Sequence, residues 1–235
     1  MEQPYKLHYA PDNASLVIRL ALEELGQSYE TVLVDRGKKA EKTPEYTKLN
    51  PMGLVPVLET KQGPIFETAA ILLWLSDRHS GIAPDKNAPE RGDFLKWLFF
   101  VSNTLHIALR QMFYPASYVG VNEEAQSALR QHSTKEIVRF FDMLEQNAGT
   151  QSSVIGGTDP NALDIYIAAC VRWIALYPRD SDRSWFSIER WPHLQGMARR
   201  LEDRASVAVL CQAEGMAANP FTAPDYPNPL EGSAT

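Results

Sequence analysis

Three groups of residues in this chain have the types and spacing to do chemistry. In the turn Ala10-Pro11-Asp12-Asn13-Ala14-Ser15, Asn13 offers an amide N–H and Ser15 a hydroxyl, and either donates to an anion without taking its proton. The same two residues are good helix N-caps, so the turn has a purely structural reading as well. Glu67 and Thr68 stand side by side where an apolar run begins. At a helix start the unpaired N–H groups and the positive end of the dipole favour an anion. His106, Arg110 and Tyr114 recur every fourth position and so share one helix face. The two cysteines, Cys170 and Cys211, form no CxxC pair and are too few for a disulfide framework, which suits a reducing cytosol.

The elements that must position these groups read in two halves. Lys6 to Tyr9 is a short strand, and Leu16, Leu20 and Leu25 keep a helical period that Gly26 stops. Tyr29 to Val34, rich in β-branched and aromatic residues, is the second strand, which makes a βαβ opening unit. Asp35 to Lys48 is charged and either irregular or loosely helical around Pro44, with Arg36, Lys38, Lys39 and Lys42 on a solvated face from which one lysine could meet a ligand carboxylate. The stretch LNPMGLVPVLETKQGPIFETAAILLWL, Leu49 to Leu75, then gives a turn, two short antiparallel strands and a helix from Glu67 to about His79. Pro56 lacks an N–H, so it belongs at a strand start or in a special turn, and spacing leaves the Val55-Pro56 bond open between trans and cis.

Ser80 to Pro89 carries Gly81, Pro84 and Pro89 and reads as a linker. Beyond it the strand signals stop. Helices are expected over Glu90 to about Tyr118, Glu123 to Asn147, Asn161 to about Tyr177, Ile188 to Arg204 and Ser206 to Glu214. Asn161 and Asp164 have capping-box spacing, and the apolar helix behind them is the expected centre of an all-α half. The expected organisation is a domain over residues 1–80, a linker over 81–89, a helical domain over 90–216 and a Pro-rich tail over 217–235. A net charge of −6 with scattered positive residues argues against a nucleic-acid partner, and the longest apolar run, Ala69 to Leu75, is too short to span a membrane. The expectation is a soluble, untargeted cytoplasmic protein.

LNPMGLVPVLE, the FETAAILLWL helix start, the ALEELG end of the first helix and the Asn161–Asp164 box together resemble the cytosolic glutathione transferase family over roughly residues 5 to 215. That resemblance implies an α/β thioredoxin-like βαβ-ββα domain followed by an all-α domain, a cis bond before Pro56, a detoxifying transferase activity and a homodimer. Glutathione is the implied co-substrate and no metal is implied. Its backbone would pair with the main chain of Val55 as an added strand. Thr68 would donate to its γ-glutamyl carboxylate while Glu67 accepts from its ammonium group. Tyr9 resembles a strand tyrosine near the site in bacterial members, and Lys39 is the lysine assigned to the ligand.

The family places a Tyr, Ser or Cys thiol activator in the turn after the first strand. Here Ala14 stands at the beta-class cysteine position and Asn13 at the serine-class position, which leaves Asn13 and Ser15 as the catalytic candidates. The first half of the chain has no cysteine, so a mixed disulfide through a protein sulfur at this turn is excluded. His106, which resembles a beta-class helix histidine, forms the expected second-substrate wall with Arg110, Tyr114 and Trp173. That wall implies a bulky apolar or aromatic electrophile. Two other readings stay open, a glutathione-dependent disulfide reductase without a protein cysteine and a non-catalytic binding or scaffold protein.

Overall fold

The computed structural model describes residues 4–151 and 153–233. Strand β1 (Tyr5–Tyr9) leads through the Ala10–Ala14 turn into helix α1 (Ser15–Glu24), and Gly26, at φ +60°, closes that helix with its N–H on Glu23. Strand β2 (Tyr29–Leu33) returns parallel to β1. The charged stretch that follows is helical around Pro44. It forms two 3₁₀ turns, Arg36–Lys38 and Ala40–Lys42, and then α2 (Pro44–Leu49), which Thr43 caps and Pro44 opens. Strands β3 (Val57–Thr60) and β4 (Gly63–Phe66) pair antiparallel, and α3 (Thr68–Arg78) follows.

The sheet order is β2-β1-β3-β4, with β1 antiparallel to β3. Because side chains alternate along a strand, Leu7 and Tyr9 join the main core with α1 and α3, while His8 turns to the other face against Tyr46 of α2. This is the thioredoxin-like mixed sheet, and the described elements beyond β4 are all helical.

The expected single helix from Glu90 is rewound once by a π turn and broken once, at Tyr114–Pro115. It runs as α4 (Arg91–Phe100), a π-helical turn over Val101–Leu105, α5 (His106–Phe113) and, beyond Pro115, the short α6 (Ala116–Val119). Proline supplies no N–H, which accounts for the break after Tyr114. Next comes α7 (Glu123–Ala148), then α8 (Ala162–Leu176). The capping box that opens α8 is complete: Asn161 Oδ1 accepts from the Asp164 N–H at 3.2 Å, and Asp164 Oδ2 accepts from the Asn161 N–H at 3.1 Å. Pro192 splits the next expected helix into a 3₁₀ turn over Ile188–Arg190 and α9 (Pro192–Glu202), and α10 (Ala205–Glu214) completes the set.

The segment after Gly215 is packed along the protein. Phe221 is fully buried, Glu202 of α9 accepts from the N–H groups of Phe221 and Thr222, and Tyr226 donates to the Leu176 carbonyl. The segment then reaches the β1–α1 turn, where Tyr9 donates to Glu231 at 2.5 Å. No described helix is long and apolar enough to cross a membrane, and no cluster of potential metal ligands occurs among the described residues.

Candidate functional site

The β1–α1 turn is held from behind by a buried acid. Asp12 takes a left-handed conformation, φ 53°, which Asp tolerates better than most residues, and its side chain is fully buried. The Arg172 guanidinium of α8 clasps it at 2.8 and 2.9 Å, and the Tyr177 hydroxyl donates to it at 2.7 Å. The Asp12 N–H in turn donates to Glu214 of α10 at 2.8 Å. Arg172 of α8, Tyr177 just beyond its end and Glu214 of α10 thus fix the backbone immediately before Asn13.

Asn13 does not cap α1. No side chain caps that helix. Its amide nitrogen donates to the Pro11 carbonyl at 2.8 Å, and its amide oxygen accepts from Arg36 at 2.7 Å. A carbonyl can only accept and a guanidinium can only donate, so both partners dictate the same amide orientation. One N–H of the amide is then left for a ligand. Ser15 corrects the sequence expectation. It is fully buried, and its hydroxyl is engaged with Ala10, donating to the carbonyl at 3.1 Å and accepting from the N–H at 3.2 Å. It ties the turn together and presents no free donor.

Val55 and Pro56 are joined by a cis bond, directly before β3. Glu67, exposed at the start of α3, has φ 71°. A non-glycine residue there costs on the order of 1–3 kcal/mol and is kept only where its surroundings over-determine it. Thr68, the first residue of α3, is buried and interacts with the Tyr166 hydroxyl of α8. Tyr166 lies 2.7 Å from His106 Nδ1, and the Trp173 ring tilts against the imidazole at 5.2 Å.

The second-substrate candidates separate along this chain of contacts. Trp173 is buried behind His106 and backs it up, while Arg110 and Tyr114 are partly exposed. Arg110 and Arg36 approach the Tyr114 ring at 5.9 Å each, one from α5 and one from the turn after β2. Contacts thus join Asn13, Arg36, Tyr114 and Arg110 in one group across both halves, and His106, Tyr166 and Trp173 in a second group on the helical side. Two expected ligand contacts fall outside both groups. Tyr9 is buried with its hydroxyl committed to Glu231 and its ring under Arg19 at 4.7 Å. Lys39 is exposed, in a left-handed conformation at the junction of the two 3₁₀ turns. Cavities of about 770 and 570 Å³ lie elsewhere, against α9 and the C-terminal segment and around Tyr5 and Trp74.

Burial, then the neighbouring Arg110 charge, lowers the His106 pKa to about 4, so its imidazole is neutral through the physiological range. The unfolded chain takes up this proton near pH 6.5, so the contribution is complete above that value and is lost as pH falls toward 4. Burial raises Glu214 to about 7 and Asp164 to about 6, and these give slopes of opposite sign. His106→Gln isolates the histidine part. Urea unfolding at pH 7 and pH 5 is expected to show the wild type losing more stability on acidification than the variant.

Arg36 and Tyr166 escaped sequence reasoning. Arg36 lay in a charge-rich stretch with nothing to single it out, and Tyr166 lay in an apolar helix where an aromatic reads as core. Arg172 did carry a signal, as a lone cation in the same apolar run.

Residues 3–77 match the family model described as glutathione S-transferase, N-terminal domain. A glutathione S-transferase of Xanthomonas campestris is 27% identical over 213 residues, covering 90% of this chain and 99% of that one. Among solved structures, a sphingomonad glutathione S-transferase complexed with glutathione is 28% identical, with a TM-score of 0.72 over 90% of this chain and all of that one. The bacterial glutathione S-transferase BphK, in a ternary complex, is 30% identical with a TM-score of 0.70, over 89% of this chain and 99% of that one. This chain belongs to the glutathione S-transferase family. Its turn presents an asparagine amide oriented by an arginine, with a buried serine two residues on.

Proposed function

We propose that the protein is a glutathione-dependent transferase in which Asn13 steadies the glutathione thiolate and the α5 wall holds the electrophile. Family membership supports the transferase activity and the co-substrate. The observation that carries the catalytic reading is the Asn13 amide, held on two sides, free of helix capping and still owning an N–H. A free thiol ionises near pH ~8.5, and each unit of lowering takes about 1.4 kcal/mol of preferential interaction with the anion. An oriented amide donor near the start of α1 supplies an interaction of that size.

Glutathione would lie along the edge before β3, its backbone on the main chain of Val55, which has no hydrogen bond to another described residue. Its γ-glutamyl end would meet Glu67 and Thr68 at the start of α3. Phe113 and Tyr114 suit an aromatic or apolar electrophile. Residues 1–80 serve as the glutathione-binding domain and 90–216 as the helical domain, and the working unit is a cytoplasmic homodimer.

Two measurements test this reading together: retention on immobilised glutathione and turnover of an aromatic halide. Both are expected of the wild type. Thr68→Val and Glu67→Gln are each expected to weaken glutathione binding by roughly 10- to 100-fold, the worth of a hydrogen bond to a charged group. Titration calorimetry checks this, and unchanged affinity in both variants would remove the pair from the site. Retention without turnover of any electrophile would point to a binding protein.

A further inference from the structure

We propose that Arg36 is a positioning residue for the thiol: it fixes the Asn13 amide and polarises it, so that the remaining N–H donates more strongly to the sulfur. The proposal rests on the reading of Asn13 as the thiol donor. Its first support is geometric. The Arg36 Nη1 to Asn13 Oδ1 distance is 2.7 Å, between residues 23 positions apart. A guanidinium cannot accept, so the contact forbids the flipped amide, which would turn its oxygen toward the thiolate and repel it.

The second support is what Arg36 lacks. Arg19, Arg91, Arg172 and Arg204 each form an ion pair with a carboxylate, at 2.7 to 3.0 Å. Arg36 forms none among the described residues, although Asp35 is its neighbour, because Asp35 pairs with Lys38 at 2.8 Å. The groups facing Arg36 are the Asn13 oxygen and the Tyr114 ring, with Arg110 on that same ring. No described carboxylate lies within ion-pair distance of it, and its hydrogen bond is to the one amide it acts on.

The third support is rigidity. Arg36 opens a 3₁₀ turn whose ends are tied by Asp35, which accepts from the Lys38 N–H through its side chain and from the Ala40 N–H through its carbonyl. The guanidinium is thus carried on a fixed backbone and lies against α5.

The test is the ionisation of bound glutathione, followed by thiolate absorbance against pH in the binary complex. Arg36→Met is expected to raise the bound thiol pKa by about one unit, with a roughly tenfold fall in conjugation rate near neutral pH. Glutathione affinity should change less than threefold, by the same reasoning that separates uniform binding from activation. Arg36→Lys, which keeps a cationic donor, should recover at least half of the shift. On an Asn13→Ala background, Arg36→Met should add less than half of its own shift, because the group it acts through is gone.

Three outcomes would overturn the proposal. One is a thiol pKa in Arg36→Met equal to the wild type while Asn13→Ala raises it, which would sink the role of Arg36 and leave the donor reading standing. Another is full additivity of the two replacements, meaning that Arg36 acts directly by charge. The last is an unchanged thiol pKa in Asn13→Ala, which would remove the donor reading and this inference with it.

Discussion

Replacing Arg172 with methionine is expected to cost about 3–5 kcal/mol of stability, the usual penalty for breaking a fully buried ion pair by removing one partner. For a chain of this size that corresponds to a fall in melting temperature on the order of 10 °C. Both side chains of the Arg172–Asp12 pair are fully buried, and the two bonds are short and parallel, at 2.8 and 2.9 Å. Arg172 also donates to the carbonyls of Pro220 and Asp225, at 3.0 and 3.2 Å, so its loss frees part of the C-terminal segment as well. Activity should fall further than the folded fraction, since Asp12 directly precedes Asn13. Adding Asp12→Asn removes the stranded charge while tolerating the left-handed backbone, and should recover a substantial share of the lost stability. Calorimetric melting of the two variants checks this. A single variant within about 1 kcal/mol of the wild type, the scale of a surface pair, would show that the clasp does not hold the turn.

Asn13→Ala is expected to lower turnover by roughly 10- to 100-fold while glutathione affinity changes less than threefold. The split follows from the division of labour proposed for the site, with Val55, Glu67 and Thr68 binding the tripeptide and Asn13 touching the sulfur. Stability should fall by about 1–2 kcal/mol, because no helix cap is lost but the bonds to Pro11 and Arg36 are. Asn13→Asp is the sharper variant. It keeps an oxygen for Arg36 but replaces the spare N–H with a second anionic oxygen, so the thiol pKa should rise above that of the alanine variant. Steady-state kinetics with an aromatic halide, over a pH series, reads both effects. Equal turnover in wild type and Asn13→Ala would remove Asn13 from catalysis.

The parts of the molecule that were legible in the sequence are those whose signals are local. The β1 and α1 boundaries, the turn before Pro56, the start of α3 and the Asn161–Asp164 box each depend on residues within a few positions of one another. The π turn after α4 was missed because the apolar period runs on through it and no residue type marks it, whereas the break at Pro115 carried a local signal that was passed over. The C-terminal segment read as a Pro-rich tail of open role, because its proline content hides the contacts it makes. Those contacts lie far away in sequence, as with Tyr9 and Glu231 at a separation of 222. Ser15 and Asn13 looked alike at the sequence level, two donors at one turn. Only the backbone path separates them, burying the serine against Ala10 and turning the asparagine to Arg36. Arg36 itself was one of five cations between Asp35 and Lys48, and its distinction is a partner 23 residues upstream.

The most direct measurement of the central claim is a structure of the protein with glutathione bound. The account predicts the glutathione sulfur within about 3.5 Å of the Asn13 amide nitrogen, with the Arg36 contact to the amide oxygen retained. A sulfur held instead by another group, with Asn13 turned away from it, would contradict the account.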